Sequence, residues 1–355
     1  MEKSSNNNNN NNKKQSKDHD NNPSAKPPLS AAPPYHTVLV LASVSLFSFF
    51  QMPTWEEIDQ VATVERLTTP LLRVPRGYSI AVSPFGIGCI RFLFALFILG
   101  IMLSRMLGPG MEINPTPSKK SKLKPWKMVL KGWKSISTFT WWSFLLLGLS
   151  FLALASVSFL AASGGKDNIP QWLLRFALLS FEISAPGGFL VSTVVKYALW
   201  PQSLKNKGPS GTAMFRSFFG LVTHNANIIM ISIELCLLGG TPVCLEHLAV
   251  SPCMGILYVL FTWFMMHRWK PNEEGPNFIY FFLDTTLGKD ATIALVALVT
   301  VLFGFYVLLA MLCKYVLNNS GSNDEEESLL LGNDAILPRL LLVVGLSKLV
   351  CRFRN

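Results

Sequence analysis

Charged residues are scarce in this chain. Asp, Glu, Lys and Arg together make up 15% of its 355 residues, where soluble domains carry roughly a quarter. That shortage excludes an ordinary water-soluble globule, because 50% of the residues are hydrophobic and they gather in long runs instead of alternating with polar ones. Cysteine is sparse as well. The six (Cys89, Cys236, Cys244, Cys253, Cys313 and Cys351) form no CxxC pair, which excludes zinc-ribbon and thioredoxin-type chemistry, and no cofactor or metal is expected. Cys236 and Cys244 flank one loop and are close enough in sequence to bridge. A cleaved signal peptide is not expected, since the first apolar run, 16 residues long, follows a long polar tail. No inverted repeat or pair of broken helices of the transporter kind is visible.

Long apolar runs are what the chain does have, and its mean hydropathy is +0.36. A hydrocarbon core about 30 Å thick is crossed by about 20 apolar residues of helix. Runs of that order lie at 80–104, 137–162, 172–199, 217–238, 251–267 and 291–316, and a shorter one covers Thr37 to Met52. The expected fold is all-α: a polytopic transmembrane helix bundle of about six or seven spans. Residues 1–36, an Asn run with charges and prolines, read as a disordered low-complexity tail. Residues 37–133 hold two N-terminal spans and a basic loop. Residues 318–355 read as an acidic linker and a short amphipathic segment, ILPRLLLVVGLSKLV, whose Arg339 and Lys348 point to a helix lying on the membrane surface.

Basic loops stay on the cytoplasmic side. Between Arg105 and Lys134 there are eight Lys or Arg, including the cluster KKSKLKPWK, against the single acid Glu112. With seven spans, the loop carrying Lys205, Lys207 and Arg216 also falls inside, and SNDEEE at 322–327 falls outside, with the sequon Asn318-Asn319-Ser320 beside it. The net charge of +10 is thereby explained by topology. Its partners are membrane lipids with anionic headgroups, and no nucleic acid is implied. The membrane is either an endomembrane such as the ER or the plasma membrane.

Polar side chains at membrane depth face a bundle interior or a wet cavity. In VTHNANIIMISIEL, His224, Asn227 and Glu234 fall within about 80° of one another at 100° per residue, with Asn225 beside them. Arg91 in GIGCIRFLF and Glu182 in LSFEISAPGG lie about half-way down their spans, and their opposite charges point to a structural ion pair. Ser143 in TFTWWSFLLLG lies roughly 10 Å from the cytoplasmic side and His224 roughly 12 Å at 1.5 Å per residue. A serine within reach of a histidine is the minimum for nucleophilic catalysis. The alternatives are that the histidine is a packing or hydrogen-bonding residue and that the serine bonds the i−4 carbonyl.

The segments TFTWWSFLLLGLSFLALA (138–155), WLLRFALLSFEIS (172–184), HNANIIMISIELCLLGGTPVCLEHLAVSPCMGILYVLFTW (224–263) and GPNFIYFFLDTTLGKDA (275–291) resemble, in order and spacing, the rolling stone family of multi-pass membrane proteins. That family is distantly similar to the androgen-induced membrane hydrolases, which cleave fatty acid esters of hydroxy fatty acids. The resemblance covers roughly residues 134–317, implying a five-helix membrane core. It departs from the family pattern at Cys244, where a basic residue is usual, and at Phe281, where a proline is usual. It implies Ser143 in the place of the hydrolases' nucleophilic threonine and His224 in that of their histidine.

Two functions follow. One is a non-enzymatic structural, adhesion or lipid-binding membrane component in which His224, Asn227 and Glu234 join helices through hydrogen bonds; this is the preferred reading. The other is an intramembrane lipid-ester hydrolase with Ser143 as nucleophile, His224 as general base and Asn225 or Asn227 as oxyanion donors, acting on a lipid ester. The orientation is testable by scanning single cysteines with a membrane-impermeant thiol reagent. Positions 118–125 should label from the cytoplasmic face and positions 320–328 from the opposite one. Labelling of both sets from one face would remove a span.

Overall fold

The computed structural model describes residues 32–71, 83–113, 120–123, 127–269, 276–321 and 336–353. Most of the low-complexity tail and the acidic segment 322–327 therefore lie outside the described residues.

Among those residues six helical stretches are long and apolar enough to cross a membrane: Pro84–Leu107, Phe139–Ala162, Gln171–Arg216, Phe218–Cys236, Leu245–Met265 and Lys289–Leu317. A bent pair, Tyr35–Phe50 and Trp55–Val61, meeting at 73°, makes a seventh if taken as one span. The chain is thus a multi-pass, all-α membrane bundle, as its composition requires. Local chemistry sets several of the ends. Helix α1 (Tyr35–Phe50) follows Pro34. Helix α2 (Trp55–Val61) starts with a reciprocal cap in which Thr54 accepts from the Glu57 N–H and Glu57 from the Thr54 N–H. Helix α3 (Val64–Thr68) is capped by Thr63, and α4 (Pro84–Leu107) by Ser83, with Pro84 in its first turn.

A small antiparallel ribbon, β1 (Met111–Ile113) with β2 (Met128–Leu130), leads into α5 (Phe139–Ala162). Helix α6 (Gln171–Val194) continues unbroken through Pro186 and ends in a π turn, Val195–Leu199. Short helices α7 (Trp200–Lys207), α8 (Ala213–Arg216) and α9 (Phe218–Leu221) follow. A second π turn, Val222–Ala226, then feeds α10 (Asn227–Cys236). The chain closes with α11 (Cys253–Met265), α12 (Lys289–Gly321) and α13 (Ile336–Val350).

Close approach of backbones holds the centre together, as in membrane bundles generally. Helices α4 and α5 make the most extensive pair and α5 with α6 the next. At Gly148 of α5 a Cβ would come within 2.6 Å of Ile98 on α4, and at Gly88 of α4 within 2.8 Å of Phe159, so neither site admits a larger residue without moving its neighbour. On the outer face, Arg175 of α6 grips Asp59 of α2 through two hydrogen bonds of 2.6 and 2.7 Å.

Helix α1 runs parallel to α12, with Thr37 bonded to Thr292 and Phe47 against Phe303. The β ribbon packs on Met265 and Trp269 at the end of α11, and Lys120 reaches Asp290 at the start of α12. Basic loop, ribbon and α12 start thus share one face, termed the cytoplasmic face after the expectation from the charge pattern.

The last helix departs from expectation. Helix α13 does not lie on the membrane surface; it packs lengthwise against α10, antiparallel to it. Near its start Arg339, fully buried, donates to the Cys236 carbonyl at the end of α10. Beyond its end, Arg352 N–H donates to Asn225 Oδ1 at 3.1 Å while Asn225 Nδ2 returns a bond of 3.0 Å to the Arg352 carbonyl. Charge alone suggested an amphipathic surface helix, but the arginine is buried against a helix end whose carbonyls need donors. A helix running the depth of α10 returns the C-terminus to the cytoplasmic face. A C-terminal epitope should therefore be protease-accessible from the same side as residues 118–125; accessibility only from the opposite side would put α13 outside the bundle.

Candidate functional site

Four polar groups of VTHNANIIMISIEL are placed by the π turn Val222–Ala226. A turn with i→i+5 bonding is wider than an α turn, so the side chains before it are carried round relative to those after it. His224 is consequently carried off the face that Asn227 and Glu234 still share on α10. His224 turns toward Phe215, 6.4 Å between ring centroids, in a small crevice that also touches Trp200. Its Nδ1 is buried with no hydrogen-bond partner, while its backbone carbonyl accepts from Ser192 Oγ at 2.5 Å. Asn225 is taken by Arg352. Asn227 donates to the Gly188 carbonyl at 3.5 Å and accepts from the Ile228 N–H at 2.8 Å.

Glu234 is the partner of Arg91. Arg91 Nη2 lies 2.5 Å from Oε1 and Nε 3.0 Å from Oε2, with both side chains fully buried. The rest of the guanidinium donates to the Leu67 carbonyl (2.7 Å), Ser158 Oγ (2.9 Å) and Thr241 Oγ1 (3.3 Å), and Thr241 in turn donates to Glu234 at 2.6 Å. The expected Arg91–Glu182 pair is thereby corrected.

Glu182, also fully buried, is met instead by His247, whose Nδ1 is 2.8 Å from Oε2, and by the Cys244 N–H at 2.8 Å from Oε1. Tyr306 of α12 donates to the Cys244 carbonyl at 2.9 Å. The reason for the exchange is the segment 237–252. Depth counting put it outside in water, but it folds back into the outer half of the bundle, with Thr241, Val243, His247 and Ser251 all buried. At Gly239 it crosses the guanidinium so closely that a Cβ would stand 2.3 Å from Arg91 Nη2. The partners of both carboxylates come from that loop or pass beneath it. His247, Thr241 and Tyr306 were not foreseen as partners, because Arg91 at a matching depth already supplied Glu182 with an apparent counter-charge.

Glu182, Cys244 and His247 together offer an oxygen, a sulfur and a nitrogen within 4.8 Å of one another. Those are zinc-type donors, yet bonds of about 2.0–2.1 Å to a tetrahedral ion set oxygen and nitrogen about 3.3 Å apart. The 2.8 Å spacing is that of a hydrogen bond, which accounts for two of the three groups. Cys236 and Cys244 are both free thiols.

Ser143 and His224 are not joined. Ser143 is buried against α6, its Oγ 3.2 Å from the position a Cβ would take on Gly187, and it makes no hydrogen bond to His224. Neither residue borders the apolar cleft on the other side of α6.

That cleft, of about 870 Å³ with its open mouth included, lies between α1, α6, α11 and α12. Its walls are hydrocarbon: Leu41, Val191, Gly255, Val259, Leu295 and Leu302 among others. Phe282 and Leu283 lie at its cytoplasmic end. Leu302 is thirteen residues beyond Lys289, so the cleft reaches about 20 Å into the membrane. Tyr258, one of its few polar side chains, donates to the Ser137 carbonyl at 3.2 Å and lies edge-on to Phe139. Comparison with family models, with curated proteins and with solved structures gives no match.

The ion-pair assignment carries a test. Removing one partner of a buried pair typically costs about 3–5 kcal/mol, so Arg91→Met or Glu234→Gln alone should sharply lower folded yield in detergent. The exchange Arg91→Glu with Glu234→Arg should recover part of it, whereas pairing Arg91→Glu with Glu182→Arg should recover none. Equal rescue by both exchanges would refute the contact.

Proposed function

We propose that this chain is a rolling stone-like, non-enzymatic multi-pass membrane protein whose role is to hold a lipid acyl chain in the cleft between α1, α6, α11 and α12. The cleft itself carries the reading. It is walled by aliphatic side chains from four helices, and it extends from the cytoplasmic interface past the middle of the membrane. An acyl chain matches that shape and polarity.

The hydrolytic alternative finds no support in the geometry. Ser143 and His224 occupy different interfaces, and the groups that would have backed them as oxyanion donors, Asn225 and Asn227, are already committed to Arg352 and Gly188. In this reading those polar side chains hold helices together, an effect worth about 0.6 kcal/mol each in membrane interiors.

Gly255 provides the test. It lines the cleft, and a Cβ built on it meets nothing within 4 Å. Gly255→Leu should therefore place its side chain against the cleft with no clash at its Cβ, and loss of a helical glycine should raise stability by about 0.5–1 kcal/mol. Overpacking a filled site costs about 1–3 kcal/mol, so binding of a photoactivatable phospholipid should fall roughly tenfold or more. Undiminished crosslinking in Gly255→Leu, with the thermal midpoint unchanged or raised, would sink the proposal.

A further inference from the structure

The cytoplasmic end of the cleft is closed by a contact between two loops far apart in sequence. Ser121 of the basic loop donates its hydroxyl to the Asp284 carboxylate. The same oxygen accepts from the Leu123 N–H at 3.0 Å and stands 3.4 Å from Thr286 Oγ1. Beside it the Lys122 N–H donates to Thr286 Oγ1 at 3.2 Å, and Lys120 Nζ reaches Asp290 at 2.7 Å. Asp284 is buried, and its other oxygen accepts from the Thr286 N–H at 2.8 Å, capping the 3₁₀ turn Thr285–Leu287. Leu123 inserts into the apolar cluster of Tyr258, Phe278 and Leu283. Since Phe282 and Leu283 immediately precede Asp284 and line the cleft, one seryl oxygen ties the basic loop to the cleft's closed end.

Ser121 has lysines at −2, −1, +1 and +3 (Lys119, Lys120, Lys122 and Lys124) and lies on the cytoplasmic face, where ATP and protein kinases act. Kinases select substrates by charge pattern, and a serine among lysines suits those with acidic substrate grooves. We propose that Ser121 is a phosphorylation site for such a basophilic kinase, and that its phosphate releases the clasp and loosens the cytoplasmic end of the cleft. The consequence for lipid rests on the acyl-chain reading above; the modification and the release do not.

In the transfer, Ser121 Oγ attacks the γ-phosphorus of ATP. The new O–P bond forms as the bond to the β-phosphate oxygen breaks, ADP leaves, and the hydroxyl proton passes to the kinase's base and then to water. The product carries about −1.5 to −2 charges. It has lost the proton that Ser121 donated to Asp284 and sets a dianion against a buried carboxylate. Lys120, now beside a stronger anion on its own loop, is drawn from Asp290. The kinase meets the serine in the undocked state, and the phosphate prevents redocking, so the population shifts to that state.

The experiment uses the full chain in phosphatidylcholine nanodiscs, incubated with ATP, Mg²⁺ and a basophilic serine/threonine kinase. Phosphate is located by mass spectrometry, the basic loop is probed by the rate of tryptic cleavage at Lys119–Lys127, and lipid by the exchange rate of a fluorescent phospholipid. We expect phosphate on Ser121 and cleavage and exchange each faster by roughly tenfold, as for loss of one hydrogen bond to a charged group. In Ser121→Ala, kinase and ATP should change neither rate. Absence of phosphate from Ser121, an unchanged cleavage rate after phosphorylation, or an equal response in Ser121→Ala would each overturn the proposal. Faster cleavage with unchanged lipid exchange would uphold the clasp and count against the acyl-chain reading instead.

Discussion

The guanidinium of Arg91, placed seven residues into a membrane-spanning helix, obliges the outer half of the bundle to gather around it. A charge at that depth is tolerated only when fully partnered, and all five of its N–H donors are engaged: two by Glu234, and one each by the Leu67 carbonyl, Ser158 and Thr241. Those partners belong to α10, α3, α5 and the loop after α10. To reach a single point, α3 must lie across the top of α4 and α5, and the segment 237–243 must turn inward over the arginine. The turn is made with Gly239, where no Cβ fits, and with Gly240, whose φ of +56° is a left-handed conformation favoured by glycine. Once that segment has entered the bundle, Cys244 and His247 are delivered to Glu182, so the second buried carboxylate is neutralised as a consequence of the first.

The cytoplasmic half is built differently although it shares the same helices. Helix α6 carries Glu182 in the outer half and, beyond Pro186-Gly187-Gly188, presents Leu190, Val191 and Val194 to the cleft. On the outer side each neighbour is fixed by hydrogen bonds to a charge. On the inner side the cleft walls meet through non-directional hydrocarbon packing, while α6, α10 and α13 are joined by uncharged or backbone hydrogen bonds and the end is closed by a few polar bonds between loops. Elements that accommodate ligands come from the less stable parts of a structure, and this division leaves the apolar cleft on the less tightly bonded side of α6 while hydrogen bonds to buried charges hold the outer half in register.

The sequence reading reached the fold but not the pairing. Apolar run length identified the long spans because a helix must satisfy its backbone within the bilayer whatever its neighbours are. Pairing depends on rotation and on loops, and both defeated counting. The π turn at Val222–Ala226 has no sequence mark, so a face drawn at 100° per residue placed His224 beside Asn227 and Glu234, when the wider turn separates them. The loop 237–252 reads as polar enough to be outside, with Thr241, Glu246 and His247, and depth arithmetic then left Arg91 and Glu182 as apparent partners. The cleft was invisible for a third reason: Leu41, Gly255, Leu295 and Leu302 are ordinary membrane residues, and a void between helices leaves no trace in any one of them. Ser121 was visible only as part of a basic cluster, its tie to Asp284 spanning 163 positions.

The two helices too short to cross a bilayer unaided explain why the polar run VTHNANIIMISIEL exists. Helices α1 and α13, of 16 and 15 residues, have fewer turns than the membrane needs, so their ends require partners within protein. Helix α1 finds Thr292. Helix α13 ends on α6, where Lys196 and Tyr197 donate to the Leu349 carbonyl at 2.9 and 2.7 Å, and on Asn225, which pairs with the Arg352 backbone as a neighbouring strand would. Followed residue by residue, the run then touches three elements in turn: the His224 carbonyl and Asn227 meet α6, Asn225 meets the segment after α13, and Glu234 meets α4. A catalytic constellation would converge on one point. These side chains diverge: Asn225, Asn227 and Glu234 each end on a different element, and through them α10 is joined to its neighbours.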